Sequence, residues 1–183
     1  MRITVVAVLV GVVLALTGCQ GATTAAPTPV RSTDLTSSDG GFDRNAVVGV
    51  VLAAGDDALA SDLEDGLRDA GFRPDVRVSP RDGAAAAQRG AVDDLVRGGA
   101  KALLVRAVDA GALTGAVQTA HDAGVVVVSL GDAVPASGTG GDGVSADHRV
   151  RASGDPAVTA RAAVDVVRSL QRGEQPADDR PAG

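Results

Sequence analysis

Three stretches of this chain, "AVVGVVL" (Ala46–Leu52), "KALLV" (Lys101–Val105) and "VVVVSL" (Val125–Leu130), are almost wholly apolar. Each is too short for a core helix, and the first two are each followed within a few residues by a segment with helical spacing of apolar positions. An apolar run of strand length needs cover on both faces. Strands separated by helices pair in parallel, because each crossover returns the chain to the same end of the sheet. The fold class follows: α/β, a doubly wound parallel sheet with helices on both sides.

Two further segments complete the sheet. "DVRVS" (Asp75–Ser79) and "HRVRA" (His148–Ala152) alternate apolar and polar residues, with Arg77, Arg149 and Arg151 on the polar side. Alternation suits strands with one face toward solvent, so these two belong at the edges. A five-stranded order of 2-1-3-4-5 meets both conditions and is a common doubly wound arrangement. The helical stripes between strands are Leu59, Leu63, Leu67 and Ala70; Ala84, Ala87, Ala91 and Leu95; Leu113, Ala116, Val117 and Ala120; and Ala162, Val166 and Leu170. Gly71 suits the end of the first helix. Asp109 and Asp155 suit the caps of the third and fourth, with Pro156 in the first position of the last.

The ends of the chain read differently. Arg2 precedes an apolar run from Ile3 to Leu16, shorter than the roughly 20 residues that span a bilayer but suited to a signal-peptide core. Leu16, Thr17, Gly18 and Cys19 follow, and this stretch resembles the lipobox of bacterial lipoproteins, with Cys19 as the acylated residue. The resemblance implies a signal peptide over 1–18 and a protein held outside the cytoplasm on the cell membrane by acyl chains on Cys19, with no spanning helix. Residues 19–45 are rich in Thr, Ser, Pro, Gly and Ala and read as a flexible linker. Residues 46–172 form the domain, and 173–183 read as a disordered tail.

The formal net charge is −6, and residues 1–18 contain Arg2 and no acid, so the remainder is more negative still. Lys101 is the sole lysine and no basic cluster occurs, which argues against nucleic acid. The aromatic residues are Phe42 and Phe72 alone. The core must therefore be built from Val, Leu and Ala.

From Val48 to Pro135, "VVGVVLA", "GLRDAGF" and "AAAAQRGAVDDLVRGGAKALLVRAVDAGALTGAVQTAHDAGVVVVSLGD" resemble the sugar-type (type I) periplasmic solute-binding proteins of ABC importers. Ala107, Val108 and Asp109 stand where that family has "PVD", and Gly124 to Val128 where it has "GIPVV". The tail "ASGDPAVTARAAVDVVRSLQRGE" resembles its late strand and helix. The resemblance implies one lobe of a type I fold, a small polar solute such as a sugar, and an ABC permease as partner. It implies no cofactor. The chain departs from the family in length, since the Gly-rich Ala136–Asp147 connection stands where a second lobe would be.

In an open α/β sheet the ligand lies beyond the carboxyl ends of the strands. The polar residues expected there are Asp56 and Asp57 after strand 1, Arg106 and Asp109 after strand 3, and Asp132 after strand 4. These five form the candidate ligand site, although helix capping by the aspartates, with Arg106 neutralising them, accounts for the same residues. The contacts typical of sugar receptors differ: Arg106 stands where an Asn is usual, Gly131 and Asp132 where an Asp-Arg pair is usual, and Gly154 where a polar amide is usual.

Other chemistries lack their residues. A phospho-acceptor would need Asp where Arg106 stands, and a flavin would need aromatic cover. His121 and His148 have no metal-ligand spacing and read as surface residues. Ser129 and Ser153 lack a nucleophile elbow. "GTGGDG" (Gly138–Gly143) lacks the lysine of a P-loop and precedes no helix. An enzyme finds no support. Two function classes remain: a membrane-anchored solute-binding lipoprotein of an ABC-type importer, or a single-lobe surface lipoprotein acting as an interaction module or remnant without a solute.

Overall fold

The computed structural model describes residues 41–131 and 145–176. Its elements in chain order are β1 (Val47–Leu52), α1 (Asp57–Asp69), β2 (Arg73–Val78), α2 (Ala84–Arg97), β3 (Ala102–Val105), α3 (Ala110–Asp122), β4 (Val126–Leu130), β5 (His148–Val150) and α4 (Pro156–Gln171). All strand pairs are parallel and the order is β2-β1-β3-β4-β5. This is the doubly wound sheet that the apolar runs require. β3 and β4 are buried along their whole length, and β1 at all but its first residue. β2 has no fully buried residue and β5 only Val150.

The period of two along each strand divides the core into two halves. Val48, Val50, Leu52, Leu104, Val128 and Leu130 point to one face, where Leu59, Leu63 and Leu67 of α1 meet Ala163 and Val167 of α4. Val51, Leu103, Val105 and Val127 point to the other, against Val92 and Leu95 of α2 and Leu113 and Val117 of α3. Both aromatic rings join the first half: Phe72 is buried, and Phe42 packs on the core with its centroid 6.0 Å from that of Phe72.

Gly49 is a spacing element within this packing. A Cβ there would lie 2.6 Å from Leu103 Cδ2 and 2.8 Å from Leu95 Cδ1, so the absent side chain lets α2 sit down on the sheet. Both leucines are buried and neither has open space to swing into.

The stripes on α1 and α3 fall where the spacing predicts, with Ala70 half-buried just beyond α1. Gly71 follows with φ +91°, a conformation that glycine adopts without strain. Two stripes are displaced. On α2 the fully buried residues are Gln88, Val92 and Leu95, while Ala84, Ala87 and Ala91 are half-buried. On α4 they include Ala160, Ala163, Val164, Val167 and Leu170, while Ala162 is exposed and Val166 half-buried. Both helices are apolar at many adjacent positions, so spacing alone leaves their rotation about the axis open. Contact with the sheet sets it.

β2 begins at Arg73 because Val47 already pairs there, and β5 ends at Val150, leaving Arg151 beyond the strand. Among the described residues no helix is long and apolar enough to cross a membrane. The expectations for residues 1–18, for Cys19, for the start of the linker, for Asp132, for the "GTGGDG" loop and for the end of the tail lie outside the described residues.

Candidate functional site

Parallel pairing of β1 with β3 aligns Val51 with Val105, so the segments leaving the two strands start side by side. The Arg106 N–H donates to the Val51 carbonyl at 2.9 Å, carrying the ladder one residue past β3. Asp56 approaches from the other segment. Its Oδ2 accepts from the Ala53 N–H at 3.2 Å, while its own N–H donates to the Ala53 carbonyl at 3.2 Å. These two bonds close the β1–α1 turn. Oδ1 then takes Arg106 Nη1 at 2.7 Å.

The pair is asymmetric in exposure. The Asp56 side chain is 15% exposed and that of Arg106 is 42% exposed. The carboxylate is thus committed to the turn and to one nitrogen of the arginine, whereas the guanidinium, with five N–H donors, keeps a face toward solvent. Such a fork is suited to paired oxygens of a ligand.

A residue absent from the expected set holds this arginine in place. Gln88 of α2 is fully buried; its Nε2 donates to the Arg106 carbonyl at 2.9 Å and its Oε1 accepts from the Val108 N–H at 3.0 Å. One amide therefore brackets Arg106, Ala107 and Val108 on both sides. The polar residue in an otherwise apolar helical stripe was the available signal, since a buried amide requires backbone partners.

The other expected residues take separate roles. Asp109 caps α3, its Oδ1 accepting from the Ala112 N–H at 3.2 Å, as the capping reading requires. Asp56 occupies the cap position of α1 without a capping bond, because its carboxylate serves the turn and Arg106. Asp57 is exposed in the first turn of α1. Of the five candidates, the structure joins Asp56 and Arg106 in direct contact, and Asp132 lies outside the described residues.

The late turn at this edge is braced by its own side chains. The Ser153 N–H donates to Thr159 Oγ1 at 2.9 Å, the Asp155 N–H to Ser153 Oγ at 3.2 Å, and the Ala157 N–H to Asp155 Oδ1 at 2.9 Å. Three exposed valines also mark the edge: Val78 at the end of β2, Val108 after β3, and Val158 in the first turn of α4.

The opposite, amino-terminal edge holds a second polar pair. His121, in the last turn of α3, places Nε2 3.1 Å from Asp147 Oδ2, and the side chains are 15% and 16% exposed. The expectation of a surface histidine is corrected here, because α3 ends against the segment entering β5 and the ring is half-enclosed. Contact with the Asp147 carboxylate raises the His121 pKa above its ordinary 6.5, against the partial burial that lowers it. Among the described residues no group of three or more His, Cys, Asp or Glu is placed to hold a metal ion.

The chain resembles solved solute receptors over part of its length. A carbohydrate transporter solute-binding protein from Chloroflexus aurantiacus, in complex with D-glucose, is 27% identical over 57% of this chain and 29% of its own, with TM-score 0.47. An ABC transporter solute-binding protein from Clostridium phytofermentans with bound β-D-glucose is 23% identical over 49% and 30%, TM-score 0.44. One from Bacillus halodurans with bound myo-inositol is 17% identical over 62% and 37%, TM-score 0.45. The matches thus span roughly a third of each of those proteins. No curated protein matches the chain. The family model of the periplasmic binding protein domain matches residues 48–149, from the second residue of β1 into β5 and so across the whole sheet. On that match, over more than half of its length, the chain belongs to the periplasmic binding protein domain family.

Proposed function

We propose that this chain is the solute-binding lobe of an ABC-type importer, working outside the cytoplasm and tethered to the cell membrane through a lipid on Cys19. In this reading residues 1–18 direct export, 19–45 form the tether, 46–172 are the binding lobe and 173–183 a tail. The observation that carries the reading is the Asp56–Arg106 pair at the carboxyl edge of the sheet, with its guanidinium held from behind and open in front.

The solute is a small polar molecule such as a sugar or polyol. Arg106 donates to its oxygens. Asp56 fixes the guanidinium, and the Gln88 bracket keeps the arginine backbone from drifting. This is binding by a prepared donor, so little ordering remains to be done when the solute arrives. One lobe covers one side of the solute, and the permease or a second domain closes the other. No bond is made or broken, and the role is non-enzymatic.

A second reading is favoured by the three exposed valines. Val78, Val108 and Val158, strung along the edge from β2 to α4, suit contact with another protein surface, and the lobe would then be an interaction module without a solute. Thermal unfolding of the chain lacking residues 1–19, against sugars, polyols and amino acids, separates the two. A solute at 100 times its Kd stabilises the native state by about 2.7 kcal/mol, a shift of several degrees. A selective shift that Arg106→Ala abolishes supports the receptor. Cooperative melting unmoved by any member of the panel supports the interaction module.

A further inference from the structure

The amino-terminal edge of the sheet carries a polar cluster that solute binding does not use. β5 is a three-residue edge strand, and the segment entering it is fixed at one point by three contacts that share Asp147. The Asp147 N–H donates to the Val127 carbonyl at 2.8 Å. Its Oδ2 accepts from the Val127 N–H, also at 2.8 Å. The same oxygen lies 3.1 Å from His121 Nε2. One aspartate therefore ties the start of β5 to β4 through the backbone and to α3 through a side chain.

The His121 contact differs from the other two. Nε2 is buried 3.1 Å from the Asp147 carboxylate, and that contact favours the protonated ring. Charge is what an imidazole can lose near neutral pH. We propose that His121 and Asp147 form a proton-operated clasp that holds β5 on the sheet when His121 is protonated and loosens it when the proton leaves.

The surrounding groups agree with a clasp that closes on protonation. Asp147 is the principal carboxylate acting on the ring and Asp122, the next residue along the chain, a weaker one. The Asp122 Oδ1 also accepts from Gln118 Nε2 at 2.9 Å. β4 carries no titratable side chain, and Lys101, just before β3, is exposed to solvent. His148 and Arg149, which follow Asp147, are also partly buried on the β5 side. His121 also lies in the last turn of α3, where the helix end favours a cation.

The folded-state pKa of His121 is raised above the unfolded value, so the clasp is fully closed below the ordinary pKa of 6.5 and opens as pH rises through the folded value. At its other end β5 leads into the braced turn at Ser153–Asp155. This inference stands independently of the solute reading.

The test is an NMR titration of the whole chain from about pH 6 to pH 9, following the His121 ring and the hydrogen-exchange protection of the Val127 and Asp147 amides. Protection is corrected for the intrinsic pH dependence of exchange. The expected result is a His121 midpoint above 6.5 and a several-fold loss of protection at both amides with that same midpoint. In His121→Gln the protection is independent of pH. A His121 midpoint at or below 6.5, protection in the native chain that ignores pH, or a pH response that survives His121→Gln would each overturn the proposal. Should the variant not fold, the titration of the native chain still decides.

Discussion

Two ion pairs sit at opposite ends of the same sheet. Asp56–Arg106 closes at 2.7 Å after β1 and β3, and His121–Asp147 at 3.1 Å before β4 and β5. Each contains one aspartate that also accepts a backbone N–H, and the two aspartates are almost equally enclosed. The cations differ. Arg106 is a guanidinium and 42% exposed, whereas His121 is an imidazole, 15% exposed, whose pKa the Asp147 contact raises. One pair is built to keep a donor constant and visible to solvent, the other to respond to protons out of solvent. Similar geometry thus yields different capacities, and burial together with the chemistry of the cation decides which.

The comparison can be broken most forcefully at Asp147. Asp147→Ala leaves the Val127 N–H and His121 without their acceptor in a half-enclosed site, and should cost about 2–3 kcal/mol in chemical denaturation. The same assay on Asp147→Asn keeps an oxygen for Val127 and isolates the contribution of charge. Next is Gln88→Leu, which fills the same space but strands the Arg106 carbonyl and the Val108 N–H, for about 1–3 kcal/mol by the same measurement. This variant should also weaken any solute shift, because the arginine loses its backing.

Asp109→Ala removes a helix cap away from either pair and should cost about 1 kcal/mol in thermal unfolding. It calibrates how much a carboxylate at this edge contributes without an ion pair. The smallest effect on stability belongs to Arg106→Ala, under about 1 kcal/mol, since the pair is partly exposed and screened by salt. If it destabilises as much as Asp147→Ala, Arg106 is a structural residue and the contrast between the two edges fails. pH sharpens the contrast further. Native stability should fall as pH rises through the raised His121 pKa, and His121→Gln should flatten that slope while Arg106→Ala leaves it intact.

Much of the architecture was legible along the chain. Uninterrupted apolar runs at β1, β3 and β4 require cover on both faces, and the alternation at β2 and β5 requires an edge, so strand order followed from pattern. Asp109 and Asp155 were readable as caps because a cap depends on residues three or fewer apart. The site was legible only in part. Asp56 and Arg106 are 50 residues apart in sequence, and their proximity could be expected from topology but not their contact. Gln88 was hidden because an alanine-rich helix offers several equivalent stripes, and His121 because its partner lies 26 residues further along, before an edge strand.

Local sequence by itself determined the elements, their type, the caps at Asp109 and Asp155 and the order in which the strands pair, since these depend on the period of apolar residues and on groups within a turn of each other. Tertiary structure alone decided the rotation of α2 and α4, the capture of the β3–α3 backbone by Gln88, and the choice between a solvent-facing arginine and an enclosed histidine as the cation of each pair. Those outcomes depend on which surfaces meet across the sheet. Burial, which sets the strength of a charge and the cost of an unpaired amide, exists only once they have met.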